Sequence, residues 1–279
     1  MTESGLDDHQ LQTLCDFLYR HTGMRFGKSK RYYIERRIAD RMEVAKLANF
    51  PAYFAAMRAD LREREALINA FTVNETYFYR EEHQLACLSR ELLPDLAASR
   101  RPGDKIRIWS APCSTGDEAY SIAIWLLENW RMVDAYNVEI VASDIDTQVL
   151  EHARLGVYGQ RALARLPEAL RQAYFEPAKQ HRWRIIEDLR ESVTFSQVNL
   201  MDETSPPGLG VFDVIFCRNM LIYFDDSSRQ TAVDNLYDRL APGGYLCLGH
   251  AESMNRISER FVTRRFEDAI VYQRAKAAA

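Results

Sequence analysis

Residues 111–127 read APCSTGDEAYSIAIWLL, directly after the apolar run IRIWS at 106–110. A β-prone run, a turn of small residues and a long apolar helical run, in that order, make the first strand, turn and helix of an open α/β sheet. In such sheets the turn faces a ligand. A pyrophosphate ligand favours G-x-G-x-x-G there, because the glycines let backbone N–H groups approach the phosphates. Here only Gly116 remains, followed at once by Asp117 and Glu118. Carboxylates at that point suit a ligand with positive charge, and Gly116 allows close approach. Their position fits equally well two acids in a helical first turn, where the macrodipole favours them.

Downstream, short apolar strands are expected at 106–111, 138–143, 193–198, 212–217 and 245–249, with helices at about 117–130, 146–153 and 227–240. This alternation implies a mainly parallel sheet covered on both faces. Ala241-Pro242-Gly243-Gly244 is expected to stop a helix before the fifth strand. Residues 266–274 alternate as a last, antiparallel strand. Between 154 and 192 the pattern breaks: RLPEALRQAYF at 165–175 reads as helix and HRWRIIEDLRESV at 181–193 as a short hairpin. Upstream, residues 6–88 show helical spacing, as in Leu11, Leu14, Cys15 and Leu18, then Tyr33, Ile34, Arg37, Ile38 and Met42. The expected organisation is a helical domain with the start of a linker over 1–85 and an α/β domain over 86–279, with an inserted subdomain at about 160–192.

Composition narrows the function. The 279 residues are 47% hydrophobic, enough for one sizeable core and a small accessory domain. A net charge of −4 argues against general nucleic-acid affinity, which needs a field of positive charge. The apolar runs at 121–127 and 211–217 are far short of the roughly 18 residues that cross a bilayer. With no leader at the N-terminus, a cytoplasmic protein is expected. Five cysteines without C-x-x-C spacing and six scattered histidines suggest neither a disulfide framework nor a metal site.

Four stretches fall at carboxyl ends of expected strands, where open sheets bind ligands: APCSTGDEAYS, ASDIDTQ at 142–148, VNLMD at 198–202 and CRNMLIYFDD at 217–226. Asp144, closing the second strand, is placed to accept hydrogen bonds from ribose hydroxyls. That narrows the ligand to an adenosine-like nucleoside, and the acidic turn favours S-adenosylmethionine, with its ammonium and sulfonium, over a phosphate-bearing one.

NETYFYR at 74–80, STGDEAYSIA at 114–123, ASDID at 142–146 and CRNMLIYFD at 217–225, with LAPGGYLCLGHAES at 240–253, resemble in that order the CheR family of chemotaxis receptor methyltransferases. The resemblance implies a class I, Rossmann-like S-adenosylmethionine methyltransferase sheet with a small N-terminal all-helical domain. It implies an enzyme that methylates glutamates on the cytoplasmic helices of methyl-accepting chemotaxis receptors, releasing S-adenosylhomocysteine. It places Asn74, Thr76 and Arg80 at the cofactor from the linker, Glu118 and Asp144 on its amino-acid and ribose parts, and Asn199, Leu200, Arg218 and Asn219 around it. Tyr223 falls beside the transferred methyl.

The implied chemistry is coherent. A glutamate side chain with an ordinary pKa near 4.3 is ionised at neutral pH, so the nucleophile needs no general base. Arg80 suits a clamp for the incoming carboxylate. Tyr223 orients that group or packs against the methyl, although an aromatic there also fits plain core packing. Lys28, Lys30, Arg31, Arg36, Arg37 and Arg41 form a cationic stripe in GKSKRYYIERRIADR at 27–41. The stripe suits an acidic helical partner, a role the family gives its helical domain, and equally a solvated helix face. The hairpin that binds a tethering peptide in some members is short here and lacks a glycine-rich turn, so tether binding is not expected. Two other classes share the crevice. A methyltransferase of another substrate would lack the basic helical domain and NETYFYR; a non-catalytic cofactor sensor would need neither Arg80 nor Tyr223.

Overall fold

A computed structural model describes residues 5–202, 208–267 and 269–276, apart from the Lys28 side chain. It begins with four helices: α1 (Asp8–Thr22), α2 (Arg31–Val44), α3 (Phe50–Ala59) and α4 (Leu61–Phe71). A capping box starts α1, with Gln10 N–H donating to Asp7 Oδ1 at 2.8 Å and Asp7 N–H donating to Gln10 Oε1 at 3.2 Å. Gly23, left-handed at φ 70°, ends it. The 3–4 spacing of apolar residues puts Leu14, Leu18, Ile34, Ile38, Tyr53, Met57, Leu67 and Phe71 into one core. This helical unit comprises the residues up to Val73 together with Tyr223–Ser228. The returning segment is attached by a bridge between Met24 and Phe224 and by Arg25 N–H donating to the Tyr223 carbonyl at 3.2 Å.

The second unit, Asn74–Ile222 and the residues from Arg229 on, is built on a seven-stranded sheet. In chain order its elements are α5 (Glu82–Cys87), α6 (Leu93–Ala97), β1 (Lys105–Ser110), α7 (Asp117–Asn129), β2 (Asn137–Asp144), α8 (Thr147–Leu155), β3 (Val157–Tyr158), α9 (Glu168–Tyr174), β4 (Phe175–Ala178), β5 (Arg182–Ile185), α10 (Glu187–Glu191), β6 (Val193–Gln197), β7 (Phe212–Cys217), α11 (Asp226–Asp238), β8 (Leu240–Leu248), β9 (Phe261–Arg265) and β10 (Ile270–Arg274). The main sheet runs β6-β2-β1-β7-β8-β10-β9, and β3, β5 and β4 form a separate small sheet. The first five strands are parallel, while β10 is antiparallel to both neighbours. β7 is buried at every position, as a central parallel strand covered on both faces requires.

Chain order reverses between β1 and β7, which makes their carboxyl ends the place for a ligand crevice. The turn after β1 is pinned from both sides. Ala111 N–H donates to the Phe216 carbonyl of β7 at 2.9 Å, and Cys113 N–H to the Ser143 carbonyl of β2 at 2.8 Å.

Three local expectations change. Ala241-Pro242-Gly243-Gly244 does not lie before the fifth strand but inside it: β8 starts at Leu240 opposite Phe212, and Val214 next pairs with Tyr245. The four residues bulge out of the ladder, Gly243 at φ 81°, so the turn chemistry serves a bulge rather than a helix stop. The terminal alternation is a pair of antiparallel strands, β9 and β10, joined where Phe266 N–H donates to the Ala269 carbonyl at 2.9 Å. The hairpin of the small sheet is β4 with β5, starting at Phe175. Among the described residues no helix is long and apolar enough to cross a membrane.

Gly116 caps α7 at φ 86°, and an added Cβ would lie 2.9 Å from Ala153 Cβ and 3.3 Å from the Phe195 ring. Gly116→Ala is therefore expected to cost about 2 kcal/mol or more, from the left-handed backbone and the overlap with α8. Urea unfolding should show a lower midpoint at unchanged slope.

Candidate active site

The site grows from the ends of β2, β1 and β7. Asp144 closes β2 and is buried. Its Oδ2 accepts from Ser114 N–H at 2.8 Å and its Oδ1 from Asp146 N–H at 3.0 Å. Each carboxylate oxygen keeps acceptor capacity. Asp146 caps α8 through Gln148 and Val149 N–H, and its Oδ2 accepts from Asn74 Nδ2 at 2.8 Å. The Asn74 carbonyl in turn accepts from Ser114 Oγ at 3.1 Å. The linker, the β1 turn and the end of β2 thus form one mesh, and the Asn74 amide belongs to it.

A second group centres on Arg218, the residue after β7. Its side chain is only 3% exposed. Nη1 donates to Glu118 Oε2 at 2.9 Å, Nη2 donates to the Arg80 carbonyl at 2.7 Å, and Glu81 Oε2 lies 3.5 Å from Nη2. The other Glu118 oxygen accepts from Ser110 Oγ at 2.8 Å. Burial pushes the Glu118 carboxyl above its usual range against the opposing pull of Arg218 and Ser110. Arg218 Nε is buried with no hydrogen-bond partner, as is one oxygen of Asp117. Asn219, left-handed at φ 58°, donates its N–H to Glu252 Oε2 at 2.7 Å, which also accepts from Gly249 N–H at 2.9 Å.

The remaining expected residues are distributed as follows. Arg80 is half-buried, and its Nη1 donates to the Glu75 carbonyl at 2.7 Å while the guanidinium lies 5.7 Å from the Tyr77 ring centre. Thr76 is half-buried on the same linker. Asn199 folds back on its own turn, its Oδ1 accepting from Met201 N–H at 3.1 Å, and Leu200 is buried. Tyr223 belongs to the helical unit, where it lines a groove of about 340 Å³ with Met24, Phe26, Tyr32, Tyr33 and Phe71.

Of the cationic stripe, Arg31 pairs with Asp8 at 2.6 Å and Glu35 at 2.9 Å, and Arg41 Nε with Glu63 at 3.0 Å. Arg37 donates to the Ala70 carbonyl and lies 4.4 Å from the Tyr33 ring centre. Lys30 and Arg36 are exposed, and the Lys28 side chain lies outside the described residues. Sequence reasoning missed Ser110, Glu81, Gln84 and Glu252. The signals were present for two of them: Glu81 directly follows NETYFYR, and Glu252 sits within HAES.

Sheet order, a buried acid closing β2 and acids opening α7 define a nucleoside-binding α/β protein of the Rossmann-like kind. Comparison with known proteins narrows this further. Residues 74–270 match the model "CheR methyltransferase, SAM binding domain" and residues 9–72 match "CheR methyltransferase, all-alpha domain". The chain is 45% identical over 274 residues to chemotaxis protein methyltransferase 2 of Vibrio cholerae, covering 98% of this chain and 95% of that protein. It is 36% identical to the chemotaxis protein methyltransferase of Vibrio parahaemolyticus, covering 98% and 99%, and 35% identical to that of Salmonella typhimurium, covering 93% and 88%. The protein belongs to the CheR methyltransferase family, and its cofactor is S-adenosylmethionine.

The residues fit that group. Asp144 offers buried acceptors to a diol, Arg218 Nε is an unsatisfied buried donor for a carboxylate, and two acids at the start of α7 repel phosphate. Burial pushes Asp144 up to about 6 against the pull of the Asp146 and Ser114 N–H groups. Folded protein thus holds that proton more tightly than unfolded chain, so ionising Asp144 costs stability as pH rises from about 4 to about 6. Hydroxyl donors favour the ionised form. Affinity for S-adenosylhomocysteine should therefore fall about tenfold between pH 7 and pH 5. Calorimetry should show this decline in the wild type and a flat profile in Asp144→Asn.

Proposed function

We propose that this protein transfers methyl groups from S-adenosylmethionine to glutamate side chains on the cytoplasmic helices of methyl-accepting chemotaxis receptors, forming methyl esters and S-adenosylhomocysteine. The observation that carries the reading is the buried Arg218 centre, which joins the end of β7, the acid of α7 and the backbone of Arg80 in a chain with both CheR regions.

The bound cofactor supplies an electrophilic methyl on a sulfonium. Asp144 holds the ribose, while Glu118 and Arg218 hold the amino-acid part, with Asn74, Thr76, Asn199, Leu200 and Asn219 shaping the rest of the pocket. Arg80 spends one donor of its five on the Glu75 carbonyl and presents the others to the incoming carboxylate. That carboxylate arrives ionised, so alignment and exclusion of water do the catalytic work rather than proton transfer.

The helical unit reads the receptor. Its groove is lined by Phe26, Tyr32, Tyr33 and Phe71 and bordered by Arg25 and Lys30, a combination suited to the apolar stripe and acidic flank of an amphipathic helix. Because Arg31, Arg37 and Arg41 are engaged within the unit, Lys30 and Arg36 are the exposed cations among the described side chains of the stripe.

Radiolabelled cofactor and receptor cytoplasmic fragments test the reading. Base-labile label should appear on receptor glutamates and fall on the order of 100-fold in Arg80→Ala, the usual loss for a misplaced reacting group. Label confined to nucleic acid or a small molecule would remove the proposed substrate. Lys30→Glu with Arg36→Glu should raise the receptor KM several-fold at unchanged affinity for S-adenosylhomocysteine, with a steeper effect at low salt.

A further inference from the structure

Arg80 sits in an unusual piece of backbone. Its neighbours Tyr79 and Glu81 are both left-handed, at φ 59° and φ 54°, although neither is glycine. Two such residues in three cost energy and persist only where the surroundings over-determine them. Tyr79 N–H donates to Ser121 Oγ at 3.0 Å, and the Arg80 carbonyl accepts from Arg218. The Glu81 carbonyl accepts from Gln84 N–H at 2.9 Å, and the Glu81 side chain makes further ties. Its Oε2 accepts from Gln84 Nε2 at 2.9 Å and lies 3.5 Å from Arg218 Nη2, and its Oε1 lies 2.8 Å from His250 Nδ1. Gln84 Nε2 also donates to the Leu248 carbonyl at 2.7 Å, which anchors the group to the end of β8.

We infer that Glu81 is a positioning residue: by drawing Gln84, His250 and Arg218 onto one carboxylate it holds the strained turn that aims the Arg80 guanidinium. This rests on the clamp role proposed for Arg80. Glu81 is a second acid on an already paired guanidinium, so its retention in a nearly buried place has no need in charge neutralisation alone. Burial pushes its carboxyl up, yet Arg218 and His250 outweigh burial and leave it below its usual range, ionised at neutral pH. An ionised side chain keeps all three partners, whereas an amide in its place has only one acceptor oxygen to share among them.

A double-mutant cycle separates positioning from general support. In single-turnover transfer, Glu81→Ala should slow the wild-type background by about 10- to 100-fold, the loss expected for misaimed groups, and the Arg80→Ala background by less than about twofold. Glu81→Gln, which keeps the size, should fall between wild type and Glu81→Ala. Amide hydrogen exchange provides a second readout that needs no transfer: residues 79–84 should exchange faster in both variants while the β1 and β7 amides keep their protection. Equal losses in both backgrounds, or unchanged exchange at 79–84, overturn the inference. A wild type that labels no receptor sinks the proposed function instead, and exchange still decides whether Glu81 holds the turn.

Discussion

One guanidinium ties the catalytic unit together. Arg218 is nearly inaccessible, and a buried cation is tolerated only when its partners satisfy it with good geometry. Those partners come from two stretches far from it in sequence: Glu118 opening α7, and the adjacent Arg80 carbonyl and Glu81 side chain leading into α5. Removing Glu118, the acid it bonds directly, would leave its charge poorly compensated in a place water does not reach. Both stretches are therefore locked to the end of β7, at the reversal of chain order where the crevice must lie. The same geometry sets the crevice's electrical character. Two acids and one arginine, with Asp144 and Asp117 nearby in sequence order on β2 and α7, leave the strand ends acidic, a setting hostile to phosphate.

This arrangement also explains why the turn after β1 contains a single glycine. In a dinucleotide fold, glycines clear space for a phosphate above the turn. Here the one glycine clears space for protein, since Ala153 and Phe195 occupy the position where its Cβ would be. The left-handed backbone at Gly116 and the closeness of α8 are one requirement: α7 must start sharply for Glu118, one residue past its first, to reach both Ser110 and Arg218.

The legible part of the fold was the part written in local periodicity. Alternating strands and helices from residue 106 onward, and the 3–4 spacing before residue 72, carry their own pattern, and both reappear as the parallel sheet and the helical unit. What stayed hidden depends on long-range pairing. The Ala241-Pro242-Gly243-Gly244 run has the composition of a helix stop, and only its register against Phe212 and Val214 makes it a bulge. The cationic stripe shows the same limit. Arg31, Arg37 and Arg41 look like surface charge in sequence, but Asp8, Ala70 and Glu63 take them up from other helices. The places of Asp144 at the end of β2 and Glu118 in the first turn of α7 were legible because strand ends and helix starts are local features. Glu81 was not, because its meaning lies in a contact with a residue 137 positions later, which numbering alone (218 − 81) does not suggest.

The division of labour among the acids follows from what each is bound to. Asp144 accepts from neutral backbone donors and has Asp146 as a like-charged neighbour, so burial dominates and its proton is held to about pH 6. Glu81 meets a guanidinium and an imidazole, so attraction outweighs burial and it remains ionised. In the ribose role proposed for it, Asp144 gains from lying near its switching point, since little energy has been spent in advance on another cation. A group that must hold a strained backbone needs a fixed charge that does not respond to modest changes in acidity. The crevice thus keeps its adjustable acid at the end of β2 and its permanent one beside Arg80, and neither is asked to remove a proton from the acceptor.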